Sequence, residues 1–227
     1  LMEHPILFLD LLTRAFNLHI PPHLTYTWFT MLLLLGLGYL ASRSVSLVPT
    51  GAQNVFELIV GSLEEFMVEI TGEEGRAFFP FIGTLFLFIL FCNLMGLVPG
   101  VFSATANINT PLSMALCTFI FTHYLGVKYH GIKYIKHFLG PIPWLAPLFF
   151  PIEVIGHIAR VLSLTLRLFG NIMGEDLVIA ILLLLAGKFV APVVLMSSLA
   201  VFTSTVQAFI FTLLSMMYFA GSMEEAH

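Results

Sequence analysis

The chain has 227 residues, 59% of them hydrophobic and only 10% charged, with a net charge of −4. A soluble domain of this length carries roughly 25% charged residues, so a water-soluble fold is excluded, and the few scattered cations leave no footprint for a nucleic acid. The composition is that of a protein resident in a lipid bilayer.

Residues 1–24 form an N-terminal segment in which Glu3, His4, Pro5 and Asp10 mix with apolar residues. It lacks the basic start and small-residue cleavage site of a signal peptide, so no removed leader is expected. The first span is placed at 25–42, with Trp28 and Tyr39 near its ends, where amphipathic rings favour the membrane interface. Over 53–71 the apolar residues Ile59, Leu63, Phe66, Met67 and Ile70 recur at helical spacing, but Glu57, Glu64, Glu65 and Glu69 interrupt them. Four carboxylates exclude a span and predict an amphipathic surface helix held by protein contact.

Spans two and three are placed at 78–98 and 111–127, a helical hairpin whose uncharged connection follows Pro99 and Gly100. Cys92 and Cys117 fall inside these spans without metal-ligand spacing and read as small buried hydrophobes. A basic cluster follows, Lys128, Lys133 and Lys136 with His130 and His137. Pro151 then opens a long helix, placed at 148–186, and Pro192 opens the last, at 190–222.

The expected fold is therefore an all-α membrane protein, a single integral membrane domain over 1–227. It has about five membrane-crossing helices plus one amphipathic surface helix. An outside N-terminus and cytoplasmic C-terminus put Arg43, Arg76, Lys128, Lys133 and Lys136 on the cytoplasmic side, leaving Arg14 and Lys188 outside, as the positive-inside rule prefers. No soluble domain remains, so catalysis on a soluble substrate would have to come from another chain. No cofactor or metal motif is read.

The long helix over 148–186 carries the chemistry. Glu153, Arg160 and Arg167 are spaced by seven and seven, and residues seven apart on an α-helix nearly eclipse. Gly156, Ser163, Gly170, Asn171 and Gly174 join them on one polar, small-residue stripe, while Ile155, Leu162, Leu166, Phe169 and Ile172 make the opposite face apolar. An arginine at the centre of a membrane helix costs about 2.5 to 3.5 kcal/mol on insertion scales, so it is retained where it faces water or a partner charge. A guanidinium does not deprotonate in proteins, which makes Arg167 a fixed cation, suited to holding an anion or repelling cations. A packing ion pair with Glu153 or Asp176 is the structural alternative, and Arg160, nearer the Pro151 end, fits an interface anchor as well as a functional role. On the last helix Ser197, Ala200, Ser204, Gln207, Phe211 and Ser215 share a face. Gln207 there is either helix glue or part of an ion site.

These residues resemble a known family. The run from Ser163 through Arg167 to Asn171, the Gln207 to Phe211 segment, Pro151-Ile-Glu153, the Asn93 to Pro99 end of the second span and the Thr110 to Leu116 run are similar to subunit a of F-type ATP synthases. The resemblance covers the chain from about Phe78 onward, while the first 75 residues match mainly in layout. It implies a stator of the Fo sector in the bacterial cell inner membrane, in contact with a rotating c-subunit ring, a b-subunit peripheral stalk, the other ATP synthase subunits and lipid. The last two helices, long and tilted, would wrap the ring. The translocated ion would be H⁺ in preference to Na⁺.

The resemblance also assigns roles. Arg167 is the essential fixed charge facing the rotor carboxylate, Asn171 and Gln207 flank it, and Glu153 is the acidic residue of one aqueous half-channel. A carboxylate arriving beside Arg167 is favoured in its ionised form and releases its proton. Having passed the arginine it is reprotonated from the second half-channel, so proton flow is coupled to rotation and thereby to ATP synthesis in the soluble sector. The sequence departs from the family at two relay positions, which hold Asp176 and Ala200, and at Gly96, where an aspartate is common. The relay role then falls to Glu175 and Asp176, shared with His157 or Glu153, with Ser163, Ser204 and Arg160 secondary. Two other classes stay open on the residues alone. One is a transporter binding an anion at Arg167, although no internal repeat of the kind such folds show is present. The other is an assembly subunit using Arg167 for packing.

Overall fold

A computed structural model describes residues 9, 20–43, 52–98, 100–131, 134, 146–186 and 191–223. Most of the predicted 1–24 segment, Lys133, Lys136, His137 and Lys188 lie outside the described residues. Among the described residues there is no strand. Six α-helices run in chain order: α1 Pro22–Arg43, α2 Ala52–Thr71, α3 Phe79–Gly96, α4 Asn109–His130, α5 Ala146–Ala186 and α6 Ala191–Met223. Short 3₁₀ turns at Glu73–Phe78 and Ala104–Ala106 join α2 to α3 and α3 to α4.

Five of these helices are long and apolar enough to cross a membrane, and α2 is the exception. In α2 Leu63 and Met67 are buried against the bundle while Glu57, Glu65 and Glu69 are exposed. Glu64 receives Arg76 at 2.9 Å, tying the following 3₁₀ turn back to the helix. Glycines at positive φ end two helices where a side chain would be strained, Gly72 (φ 74°) after α2 and Gly131 (φ 56°) after α4.

The position of Pro151 corrects the sequence expectation. It does not open α5 but lies inside it, because the helix begins at Ala146. As the sixth residue Pro151 has no N–H to offer the Pro147 carbonyl and its ring crowds that carbonyl, a disturbance confined to the helix's second turn. At 41 residues α5 is about 60 Å long, roughly twice the hydrocarbon thickness of a bilayer. A helix of that length accommodates its apolar 147–185 stretch only by tilting steeply.

The core is built where α3, α4, α5 and α6 meet, with α2 laid against α6 and α1 against α3 and the 104–106 turn. Ile82, Ile89, Leu125, Leu168, Ala208, Met216 and Phe219 are completely buried there. Around this core Leu184, Leu185 and Leu195 are more than 70% exposed, the surface expected of helices solvated by acyl chains. Hydroxyl side chains in these apolar helices bond their own helix, as Thr122 does to Thr118 O, Thr165 to Val161 O, Thr212 to Ala208 O and Ser215 to Phe211 O. That keeps polar atoms satisfied where no water is present.

Candidate functional site

Packing divides α5 into three sectors rather than the two faces of the sequence pattern. Leu164, Thr165, Leu168 and Ile172 are buried against α4 and α6. Ile172, placed by the sequence on the apolar face opposite the stripe, is core. Ile155, Ile158, Leu162 and Leu166 form an exposed apolar sector. Between the two runs the polar stripe: Arg160, Ser163, Arg167, Gly170, Asn171 and Gly174 are all exposed, with Glu153 and Gly156 half-buried.

Arg167 sits in the middle of that stripe, with its side chain exposed. Nη2 donates a long hydrogen bond to Ser163 Oγ at 3.4 Å, and among the described residues Arg167 forms no ion pair. The packing alternative, a bond to Glu153 or Asp176, is therefore not what the chain adopts. Arg160 behaves differently, lying over the Tyr218 ring of α6 at 5.6 Å. Beside Arg167 the stripe stays low: a side chain at Gly156, Gly170 or Gly174 would meet nothing of this chain within 4 Å.

Acidic groups flank Arg167 at a distance on both sides. Glu175 and Asp176 lie eight and nine residues beyond it, about 12 to 13 Å along the axis. Both are half-buried. Glu175 Oε2 accepts from Thr203 Oγ1 of α6 at 3.2 Å, while its Oε1 is buried without a partner. Glu153 lies fourteen residues before Arg167, about 21 Å, and its Oε1 is 3.4 Å from His157 Nε2. His157 is itself buried. From Glu153 to Asp176 is about 34 Å of helix, with Arg167 between them.

The α6 stripe is brought in, but turned inward. Ala200, Ser204, Gln207, Phe211 and Ser215 are buried and Ser197 is half-buried, so this face packs the bundle and does not share Arg167's open surface. Gln207 Nε2 and Ser204 Oγ are buried with no hydrogen-bond partner among the described residues. Sequence reading missed the polar network beside them. Asn93 of α3 accepts from Thr105 Oγ1 at 2.7 Å and donates to Ser204 O at 3.3 Å, and Ser103 Oγ lies 2.8 Å from Thr105 Oγ1. Gly96 is explained here, since a Cβ at that position would come within 2.5 Å of Ser103 Cβ. The aspartate common in the resembling family has no space.

Two further residues escaped the sequence reading. His123 of α4 and Tyr134 beyond it have side-chain atoms Nδ1 and Oη 2.8 Å apart, and the His123 ring centroid is 4.8 Å from that of His157. Tyr218, under Arg160, is a third. The only available signal was a histidine inside an apolar run, an ionisable group that membrane helices do not keep without a use.

Comparison with known proteins returns one consistent family. A family model described as "ATP synthase A chain" matches residues 24–220. The chain is 56% identical over 240 residues to ATP synthase subunit a of Syntrophobacter fumaroxidans and 57% identical over 230 residues to that of Desulfosudis oleivorans. It is 51% identical over 234 residues to ATP synthase subunit a 1 of Pelobacter propionicus, and each of these alignments covers the whole of both chains.

Proposed function

The chain belongs to the ATP synthase A chain family, and from that premise we propose how its helices move protons. It is the membrane subunit of the Fo sector in which protons are translocated, and it works with other ATP synthase subunits. It is not itself catalytic, since ATP is made in the soluble sector. Our reading is that the open stripe of α5 faces a ring of c subunits, that a b-subunit stalk holds the chain against rotation, and that the assembly sits in a bacterial inner membrane. The N-terminus is outside and the C-terminus cytoplasmic.

The observation that carries this reading is the stripe itself: a non-titratable cation, exposed and without a counter-ion among the described residues, on a surface kept low by Gly170 and Gly174. An uncompensated arginine in the apolar layer is expensive, so a partner must supply the anion. A rotor carboxylate is such an anion, and it can approach only where no side chain stands in the way. As it nears Arg167 its ionised form is favoured and its proton leaves. Glu153 with His157 and Glu175 with Asp176 serve as the proton-handling ends of two half-channels, one on each side of the arginine. Asn171 borders Arg167, Gln207 and Ser204 line the inner wall, and Ser163 orients the guanidinium. A fixed positive charge between the half-channels repels a proton trying to cross directly, so current requires rotation. Each elementary charge crossing the membrane delivers about 2.3 kcal/mol per 100 mV.

Site-directed cross-linking tests the placement. In the assembled complex a cysteine at Asn171 should cross-link to a small hydrophobic ring subunit, whereas one at Leu162, on the apolar sector, should not. Equal cross-linking at both positions, or at neither, would remove the assignment of the stripe to the ring.

A further inference from the structure

A cluster of ionisable side chains lies between α4, α5 and the segment after α4, on the Glu153 side of Arg167, and Glu153 and His157 are only half of it. Taking α5 as one wall of a proton path, we propose that His123 and Tyr134 continue that path, so that protons on this side travel through a pair of imidazoles to the Tyr134 hydroxyl.

The side chains lie in a row, with the Glu153–His157 approach at ion-pair distance and a hydrogen bond at the His123–Tyr134 end. Glu153 Oε1 is 3.4 Å from His157 Nε2, the His157 and His123 rings are 4.8 Å apart between centroids and inclined at 65°, and His123 Nδ1 is 2.8 Å from Tyr134 Oη. The direction of that last hydrogen bond follows the His123 tautomer. Phe119 stands edge-on to both imidazoles, 4.3 Å from His123 and 6.0 Å from His157 between centroids, an apolar wall along the pair. Tyr134 is held in register because its ring lies on Gly126, where even a methyl group would overlap it.

Beside the pair is a small cavity of about 20 Å³, lined in part by Thr118, Thr122, His157, Arg160 and Tyr218. That is room for one water molecule. The Thr118 hydroxyl oxygen in its wall is buried with no hydrogen-bond partner among the described residues. The charged and titratable groups facing the pair are Glu153 and Arg160 of α5, Tyr218 of α6 and Tyr134.

Imidazole suits the task because it takes a proton on one nitrogen and releases one from the other. The protonated Glu153 carboxyl gives its proton to His157, leaving a carboxylate and an imidazolium. His157 returns to neutral by passing a proton to His123, directly or through a water. His123 in turn gives one to the Tyr134 oxygen as the phenol releases its own proton onward; Glu153 is then reprotonated by the next rotor carboxylate and each imidazole turns back to its starting tautomer, so that one proton moves per cycle. Burial pushes the Tyr134 phenol above its ordinary range, keeping it a neutral hydroxyl that can accept and donate.

The test uses the whole ATP synthase in inverted membrane vesicles, with ATP-driven acidification measured across a range of pH in the bath. His123→Gln keeps a hydrogen-bonding group for Tyr134 but does not titrate. It should slow pumping by about 100-fold, the low end of the range for one positioned proton donor, and should change the pH profile. Tyr134→Phe should slow pumping less and shift the profile in the same sense. Wild-type rate and profile in His123→Gln would overturn the proposal, and so would a slower rate with an unchanged profile, which marks a packing role. If His123→Gln fails to assemble, Tyr134→Phe decides on the same two outcomes. Normal pumping by Arg167→Ala would instead mark failure of the underlying reading, whatever His123 does.

Discussion

Replacing Gly170 by leucine separates folding of this chain from its contact with a partner. Within the chain a Cβ at Gly170 meets nothing within 4 Å, and glycine in a helix interior costs about 0.5 to 1 kcal/mol relative to residues with a side chain. Gly170→Leu should therefore leave α5 as stable as before or slightly more so. Against a rotor packed on the stripe the same side chain is an insertion into a filled interface, costing about 1 to 3 kcal/mol. At 1.4 kcal/mol per decade that lowers the population of the working arrangement by about five- to 150-fold. The assay is ATP-driven acidification of inverted vesicles, normalised to the amount of chain in the membrane by immunoblot. The chain content should be unchanged and the rate should fall. Wild-type pumping with leucine at 170 would refute the stripe as a contact surface, and loss of the chain from the membrane would refute the intramolecular part of the argument.

Three further substitutions test the packing. Gly96→Ala drives a methyl group into Ser103 and should destabilise by about 1 to 3 kcal/mol, read as a lower temperature at which the chain leaves the solubilised complex. Ser103→Gly in the same chain should restore part of the loss, and no difference between the single and double variants would exclude the clash. Leu168→Ala removes a fully buried side chain and should cost about 2 to 5 kcal/mol in the same heat-release measurement, with a wild-type release temperature contradicting its place in the core. Asn93→Leu deletes the bonds to Thr105 and Ser204 O. At about 0.6 kcal/mol for an average membrane hydrogen bond the expected loss is near 1 kcal/mol, and greater stability in the variant would show that the network is not structural.

Much of this fold was legible because bilayers impose long apolar runs, and α1, α3, α4, α5 and α6 announce themselves by length alone. The seven-residue spacing of Glu153, Arg160 and Arg167 exposed the stripe for the same reason, since helical geometry is local. What the sequence could not yield depends on neighbours far along the chain. Ile172 has the chemistry of a lipid-facing residue and is core only because α6 covers it. The Ser197 to Ser215 face is polar enough to suggest an open channel wall, yet packing turns it inward. His123 reads as one atypical residue in an apolar span until α5 brings His157 to it from 34 residues away. Pro151 misled on the helix start because proline favours the first turn but here lies in the second, in a helix that starts at Ala146.

The central claim is that an unpaired Arg167 separates two proton paths and couples them to rotation. It is tested most directly by Arg167→Ala in the otherwise intact complex, with co-purification of the small ring subunits showing assembly and ATP-driven acidification of inverted vesicles showing function. The account predicts an assembled complex, ring included, that acidifies nothing. Acidification at the wild-type rate by that assembled variant would contradict it.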